Sequence, residues 1–201
     1  LTASQDGERN TAVGNYSLQA VTTGVDNTGI GYQSLGAITT GNYNIGVGRN
    51  TLNATNTTNG SVAVGYTALA NNTAAGNTGI GIAALVSNVG GSENVAVGGY
   101  ALDANTTANY VTGIGTHALS ANTTGANNTA VGRRVCMSNT TGEDNTAVGE
   151  QALQANVDGD NNTALGYQAL STVTTTSGST AVGYEAAKVN TMASMTAVGY
   201  Q

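Results

Sequence analysis

The sequence predicts an all-β protein, a parallel β-solenoid in which each coil of the chain stacks on the previous one. A short repeat, which recurs for example from Gly115 to Gly132 to Gly149, runs along the whole chain, and each copy carries a short β-branched segment that ends at a glycine. Turn-forming Asn, Thr and Gly residues separate these segments. Repeats of this kind bury their apolar side by stacking on their neighbours. Helical repeats are longer, at about 30 residues or more, so the period argues against them.

The repeat is clearest at its glycine, which closes the string Asn-Thr-Ala-Val-Gly at residues 10–14, 128–132 and 145–149. Twelve glycines are separated by eleven steps, of which nine are seventeen positions long and two are sixteen. We therefore expect one domain over residues 1–201, a rod of about twelve coils that is roughly 55 to 60 Å long at the strand spacing of about 4.8 Å. The repeat glycines are Gly14, Gly31, Gly48, Gly65, Gly81, Gly98, Gly115, Gly132, Gly149, Gly166, Gly183 and Gly199.

Two apolar columns flank each glycine and predict the core. Leucine stands four residues after the glycine in most repeats, with Leu1 in the same phase, and Val, Ile or Leu stands one residue before it. The residue before that is always Ala or Gly, and Gly mostly precedes Ile. The total side-chain volume of the two positions therefore stays nearly constant, which indicates that they lie in a tightly packed contact. The predicted core columns include Val13, Ile30, Val64, Val131, Leu18, Leu69, Leu119 and Leu153.

The rest of the repeat predicts a second short strand after the glycine corner, and then a polar turn. Asn122 to Gly125 and Asn139 to Gly142 show the turn in its Asn-Thr-Thr-Gly form. A further asparagine opens the next strand, and stacked copies of it are expected to form amide ladders. These asparagines are Asn10, Asn27, Asn44, Asn77, Asn94, Asn128, Asn145 and Asn162.

Composition excludes several functional classes. The formal net charge of −6 argues against a nucleic-acid partner, which requires a basic surface. Membrane insertion is not expected, because no apolar run approaches the roughly 18 residues of a spanning segment. Residues of catalytic type neither recur nor cluster in the sequence, so we expect no enzyme activity, no catalytic or metal site and no cofactor.

Each coil offers few large apolar side chains, which predicts association with other copies. One Val or Ile and one Leu per coil give little burial against the entropy of ordering a whole repeat. We expect a parallel homotrimer, intertwined or side by side, with a monomeric solenoid as the alternative and either handedness allowed. Neither end carries a polar capping unit, so the chain is interpreted as a segment of a longer fibre.

Two repeats carry a resemblance to known fibres. Residues 162–170 read Asn-Thr-Ala-Leu-Gly-Tyr-Gln-Ala-Leu and residues 145–153 read Asn-Thr-Ala-Val-Gly-Glu-Gln-Ala-Leu. They resemble the Asn-Thr-Ala-Val-Gly-Tyr-Gln-Ala-Leu repeats of bacteriophage tail fibres, and the resemblance extends over the whole chain. The repeats are similar, more distantly, to the β-roll heads of trimeric autotransporter adhesins, whose repeats are shorter. Both resemblances imply parallel homotrimers on a virion or at a cell surface.

The candidate contact residues lie beside the repeat glycine. A stripe of tyrosines follows that glycine at Tyr32, Tyr66, Tyr167, Tyr184 and Tyr200, and it could stack on a host-surface glycan or contact a protein. Arg133 and Arg134 interrupt a nearly uncharged shaft and form a second possible contact. Alternatively, the tyrosines only cover the corner of each coil, and the two arginines are simply solvated.

Three isolated features carry weaker predictions. His117 is the single histidine and is expected to be an exposed polar residue rather than a metal ligand. Cys136 replaces a leucine and is expected to be a small buried apolar residue. Asp158, Asp160 and Asn162 alternate as calcium ligands can, without the full spacing of a calcium loop.

Three functions compete at this point. A structural fibre shaft of a viral tail fibre or surface appendage, which projects a host-attachment tip, is favoured. An adhesin head or glycan-binding module is the alternative. An ice-binding solenoid is the third, with the turn threonines as a flat face: Thr22, Thr39, Thr106, Thr123 and Thr140.

Overall fold

In the part of the chain that the structure describes, twelve parallel strands form one sheet and follow one another in the order of the sequence. The structure is a computed structural model that describes residues 6–54 and 57–200, so Leu1 and Gln201 lie outside the described residues. Adjacent strands pair in constant register, as Ala130 does with Ala147, and this confirms the parallel β-solenoid. The strands are β1 Thr11–Val13, β2 Thr28–Ile30, β3 Ile45–Val47, β4 Val62–Val64, β5 Thr78–Ile80, β6 Val95–Val97, β7 Thr112–Ile114, β8 Thr129–Val131, β9 Thr146–Val148, β10 Thr163–Leu165, β11 Thr180–Val182 and β12 Thr196–Val198.

The second strand expected in each coil does not form in the described part of the chain. After the corner glycine the backbone follows a series of turns in which every second residue has a positive φ. In one coil these are Gly115 at 131°, His117 at 56° and Leu119 at 52°. Hydrogen bonds to the next coil continue through the turns, as in the 3.0 Å bond that Leu119 N donates to Val135 O. The coils are therefore joined around their circumference although only one side has β geometry.

The leucine column fills the interior, as predicted. Leu18, Leu69, Leu119 and Leu153 are fully buried. Their φ values lie between 47° and 53°, a left-handed conformation that costs an L-residue about 1–2 kcal/mol. Burying a leucine side chain stabilises the fold by about 1.5–3 kcal/mol, which offsets that cost. The leucines thus hold the turns closed from the inside.

The valine and isoleucine column does not belong to the core of the chain, which corrects the sequence-based prediction. Val13 is 56% exposed and Ile30 is 40% exposed, while Val64 and Val131 are half-buried. Side chains alternate across a strand, so a three-residue strand turns only its middle residue inward. That middle residue is Ala or Gly, and the residue before the corner glycine points to the outer face.

At Gly29 and Gly46, the presence of Gly instead of Ala at the middle position of the strand has an interior cause. A Cβ at Gly29 would lie 2.6 Å from Ser17 Oγ, which donates a 2.8 Å hydrogen bond to Gly29 O. The same arrangement joins Ser34 and Gly46. The predicted methyl balance with the next residue is therefore wrong, because the two side chains lie on opposite sides of the sheet.

A column of buried asparagines forms an amide ladder inside the solenoid, at the position that sequence analysis assigned to the polar turn. From Asn88 onward, each Nδ2 donates to the Oδ1 of the preceding coil at 2.6–3.3 Å. It also donates to a backbone carbonyl three residues ahead in its own coil, as Asn139 does to Gly142 at 2.9 Å. This inner ladder consists of Asn72, Asn88, Asn105, Asn122, Asn139 and Asn156.

The asparagines that open the strands bind mainly backbone groups, and they form a second internal column. Asn128 Oδ1 accepts from Asn145 N at 2.9 Å, and Asn128 Nδ2 donates to Gly142 O at 2.7 Å. Amide-to-amide bonds of the predicted kind join only Asn10, Asn27 and Asn44 within the described residues. The other members of this column clamp the turn of the next coil, where the backbone has no regular strand partner.

Candidate functional site

The outer face of the sheet is a regular surface that runs along the described chain. Each strand turns its first and third residues outward, so two columns run side by side along the rod. The third-residue column is entirely Val, Ile or Leu, and the first-residue column is Thr except at Ile45, Val62 and Val95. At about 4.8 Å per coil, eleven steps make this sheet face roughly 50 Å long. We call these two columns the sheet face.

The threonines of the sheet face have free hydroxyl groups. Thr112, Thr129, Thr146 and Thr163 stand in four successive coils in matched register. Their hydroxyls make no hydrogen bond to any described residue, while the neighbouring Val and Ile side chains expose methyl groups. The sheet face is therefore apolar with a regular row of available hydroxyls.

The predicted tyrosine stripe is present on the outer corner of the coils, but it is not one continuous platform. Tyr167, Tyr184 and Tyr200 stack on one another with ring centroids 5.1 and 5.2 Å apart. The facing sides of these rings cover each other, so a sugar ring could stack between them only if the tyrosines separated. Tyr200, at the end of the stack, is 81% exposed and remains open to stacking.

Tyr32 and Tyr66 belong to a different arrangement that sequence analysis did not identify. Arg49 occupies the same column in the coil between them, with its Cζ 5.6 Å from the centroid of Tyr32 and 5.9 Å from that of Tyr66. The rings of Tyr16 and Tyr32 pack edge to face, with their centroids 5.8 Å apart and an interplanar angle of 82°. The signal in the sequence is the order Tyr-Arg-Tyr at one position of three successive repeats, which stacking converts into direct contact.

The structure separates the roles of Arg133 and Arg134. Arg133 forms an ion pair with Glu150 of the next coil, and both side chains are exposed. Arg134 points to solvent and its guanidinium has no partner among the described residues. An exposed ion pair contributes little to stability, about 0–1 kcal/mol. The two arginines therefore do not form a joint basic patch.

The remaining candidates occupy positions that other interactions explain. The ring of His117 stacks on Tyr100 of the preceding coil at 5.2 Å, with 7° between the planes. No group of three His, Cys, Asp or Glu side chains in the described part of the chain is arranged to hold a metal. Asn162 is buried and binds backbone groups, and Asp160 Oδ1 accepts from Glu143 N, so the proposed calcium ligands do not converge.

Cys136 lies in the leucine column and is 1% exposed. Burial raises the pKa of its thiol to about 12, because the interior disfavours the thiolate. The thiol is therefore protonated at neutral pH, in agreement with the prediction of a small buried apolar residue.

The turn threonines considered for ice binding use their hydroxyls within the fold. Thr106 Oγ1 donates to Thr123 O, Thr123 Oγ1 to Thr140 O and Thr140 Oγ1 to Val157 O, each at 3.0 Å. Thr22 Oγ1 likewise donates to Thr39 O at 3.2 Å. Donors that are engaged in this way are not available to order water. The free threonine hydroxyls lie on the sheet face instead.

Comparisons with models of protein families, with curated proteins and with solved structures give no match to this chain. Within the described residues, no helix has the length and apolar character needed to cross a membrane. The geometry of the sheet face and of the outer corner is therefore the basis for the functional argument.

Proposed function

We propose that this chain is a structural shaft segment of a fibre, built from three parallel copies that pack through the sheet face. The observation that carries the proposal is the apolar column along the described rod, which is exposed at Val13, Ile30, Ile80, Ile114 and Val148 and half-buried in several of the other coils. An exposed apolar surface larger than a few hundred Å² marks an interaction surface in soluble proteins.

The regularity of the sheet face supports a second copy of the same chain as its partner. A surface that repeats every coil is matched best by another with the same spacing, and parallel packing keeps the two repeats in phase along the rod. Close packing of β-branched side chains between the sheets would then bury what the single chain leaves exposed. The number three, and a location on a virion or a cell surface, rest on the resemblance to tail-fibre repeats.

The shaft proposal includes no catalytic step. Its mechanism is mechanical, because the backbone hydrogen bonds between coils run along the rod and every coil adds to its length. The inner ladder and the leucine column provide a continuous interior along the same axis. Such a rod holds apart whatever is attached to its two ends.

Native mass spectrometry of the chain tests this proposal directly. One chain has a mass of 19.8 kDa, so the expected species has a mass of about three times that value. A species with the mass of one chain over the micromolar range would overturn the assembly, and a dimer would overturn the threefold arrangement. Small-angle scattering then checks that the trimer is a rod.

Ice binding is a second candidate function, supported by the free threonine hydroxyls of the sheet face. It requires that the sheet face remain open, so it predicts a monomer that shows thermal hysteresis. Replacing Thr129 and Thr146 by Lys would abolish the hysteresis, because the longer charged side chains would disrupt the flat surface. A trimer without thermal hysteresis excludes this candidate.

A further inference from the structure

The outer corner of the first coils carries an arginine that is held between two aromatic rings. Tyr32, Arg49 and Tyr66 stand at the same position in three successive coils, and Tyr16 of the coil before them packs against Tyr32. We call these four residues the Arg49 cluster. Tyr16, Tyr32 and Tyr66 are each between 41% and 50% exposed, so the cluster is open to solvent.

The two rings leave the hydrogen-bonding capacity of Arg49 unused. With a ring on either side, the guanidinium is held by cation–π contacts that do not consume its N–H groups. Neither an ion pair nor a hydrogen bond joins this guanidinium to any described residue. In addition, Oδ1 of the neighbouring Asn50 is buried and has no partner within the described chain.

Arg49 differs in this respect from most other cations of the described chain. Arg9 binds the carboxylate of Asp26 with two hydrogen bonds of 2.7 Å, and Lys188 binds Glu185 at 3.0 Å. Arg133 pairs with Glu150. In a chain with 11 acidic and 5 basic side chains, Arg49 is positioned by tyrosines and forms no ion pair with a described carboxylate.

We propose that the Arg49 cluster binds a carboxylate group of an acidic polysaccharide, such as a polymer of hexuronic or sialic acid. The planar guanidinium can donate two parallel hydrogen bonds to a carboxylate, and the tyrosine rings on either side hold the side chain in place. The phenol hydroxyls of Tyr32 and Tyr66 can exchange hydrogen bonds with the hydroxyl groups of adjacent sugars.

Charge favours a polysaccharide over denser polyanions. The chain has a formal net charge of −6, so a nucleic acid or an anionic membrane would be repelled along most of the rod. An acidic polysaccharide with one carboxylate per sugar carries less charge per unit length than double-stranded DNA, which has one negative charge per about 1.7 Å of helix axis. The proposed site depends only on the corner surface and is independent of the shaft proposal.

Binding to polygalacturonate tests the site, with the fully methyl-esterified polymer as the matched ligand control. Biolayer interferometry with the immobilised polymers at low ionic strength should show binding to the free acid and at least tenfold weaker binding to the ester. Arg49→Gln should lower the affinity for the acid at least tenfold. Arg49→Lys should lower it less, since charge remains but the two-bond geometry is lost.

Arg134→Gln is the matched protein control, because Arg134 is also exposed and has no partner among the described residues but lacks the two flanking rings. It should leave the affinity for polygalacturonate unchanged. Equal weakening by Arg49→Gln and Arg134→Gln would reduce the effect to overall charge and overturn the site. Equal binding of the acid and the ester, or binding of polyglutamate or anionic vesicles but not of polygalacturonate, would also overturn it.

The mass of Arg49→Gln separates this inference from the proposed function. We expect the same native mass as for the unaltered chain and a slightly lower melting temperature, because the substitution removes two exposed cation–π contacts but no hydrogen bond or ion pair with the described residues. A trimer that fails to bind polygalacturonate refutes the site and leaves the shaft intact. A monomer that binds it refutes the shaft and leaves the site intact.

Discussion

The corner glycines combine two requirements that only glycine meets. Gly98 has a φ of 137°, in a region that L-residues rarely adopt. A Cβ at this position would also lie 2.6 Å from both the carbonyl carbon and the carbonyl oxygen of Gly115 in the next coil. Conformation and close stacking therefore demand the same residue.

We expect Gly98→Ala to destabilise the fold strongly and Gly99→Ala to have little effect. The Cβ at Gly98 clashes with backbone that cannot move away, whereas nothing lies within 4 Å of a Cβ at Gly99. The loss at Gly98 should exceed about 3 kcal/mol, in the range reached by overpacking and backbone strain. Urea unfolding of the two variants measures the difference, and similar midpoints would contradict the described stacking.

Cys136 should resist alkylation in the folded chain. With a pKa of about 12, roughly one thiol in ten thousand is ionised at pH 8, and the side chain is only 1% exposed. Iodoacetamide at pH 8 should therefore modify the protein only after unfolding in guanidinium chloride. Rapid modification without denaturant, followed by intact mass measurement, would show that the leucine column opens at this coil.

Asp103 is expected to oppose folding at neutral pH. Burial raises the pKa of its carboxyl group, and its buried Oδ1 has no hydrogen-bond partner among the described residues. The folded chain therefore holds this proton more tightly than the unfolded chain does. The resulting stabilisation is complete below the unfolded pKa and is lost as the pH rises through the folded value.

Asp103→Asn should accordingly raise the melting temperature at pH 7, because the substitution removes the carboxylate that burial disfavours. At pH 3 the difference should nearly vanish, because Asp103 is then protonated in the folded chain. Thermal unfolding followed by circular dichroism at the two pH values tests the sign. An equal shift at both pH values would point to packing rather than charge.

At the scale of elements, the inner ladder shows how the solenoid closes without a second strand. The turns leave backbone and amide groups in the interior, and an unpaired buried polar group costs about 1–3 kcal/mol. Stacked asparagines satisfy one another along the rod and also bind the carbonyls of the turns. The ladder ends at Val173, where Oδ1 of Asn156 is left without a partner in the described structure.

Interrupting the ladder should cost more than shortening it. Asn139→Val leaves Oδ1 of Asn122 without its donor and so adds one unpaired buried atom. Asn156→Val leaves Oδ1 of Asn139 unpaired but removes the Oδ1 of Asn156 that already lacks a partner among the described residues. We expect Asn139→Val to be less stable than Asn156→Val by about 1–3 kcal/mol in urea unfolding. The reverse order would contradict the ladder.

At the scale of the whole molecule, the sheet face determines whether the rod remains single. Val131 lies on this face and is half-buried, and the inward neighbour Ala130 is completely buried. A substitution at Val131 therefore tests association between copies, and a substitution at Ala130 tests the fold of the single chain. Because the register is constant, the residue at a given position of one coil has the same strand neighbours as its equivalents in most other coils.

Val131→Asp should therefore dissociate the proposed trimer without unfolding the coil. An unpaired charge in a packed interface costs several kcal/mol, and threefold packing repeats it three times. Thr141→Asp, a matched substitution on the exposed polar turn, should leave the mass unchanged. Native mass spectrometry and circular dichroism together test this, and a Val131→Asp trimer would show that the sheet face is not the contact.

The period, the corner glycines, the leucine column and hence the parallel solenoid follow from the sequence alone, because one residue type per column encodes each of them. Which strand residues face inward depends on the folded coil. Three residues are too few to show an alternating pattern, so the sequence predicts Val131 as a core residue, whereas Ala130 is the residue that faces inward.

Only the folded chain shows which asparagines pair and that Arg49 contacts the rings of Tyr32 and Tyr66. Both depend on contacts between residues one repeat apart, which become neighbours only when the coils stack at constant register. The sequence specifies the columns because each coil must repeat the same backbone. The stacking of the coils decides which side chains are in contact, since the turns set the direction in which each side chain points.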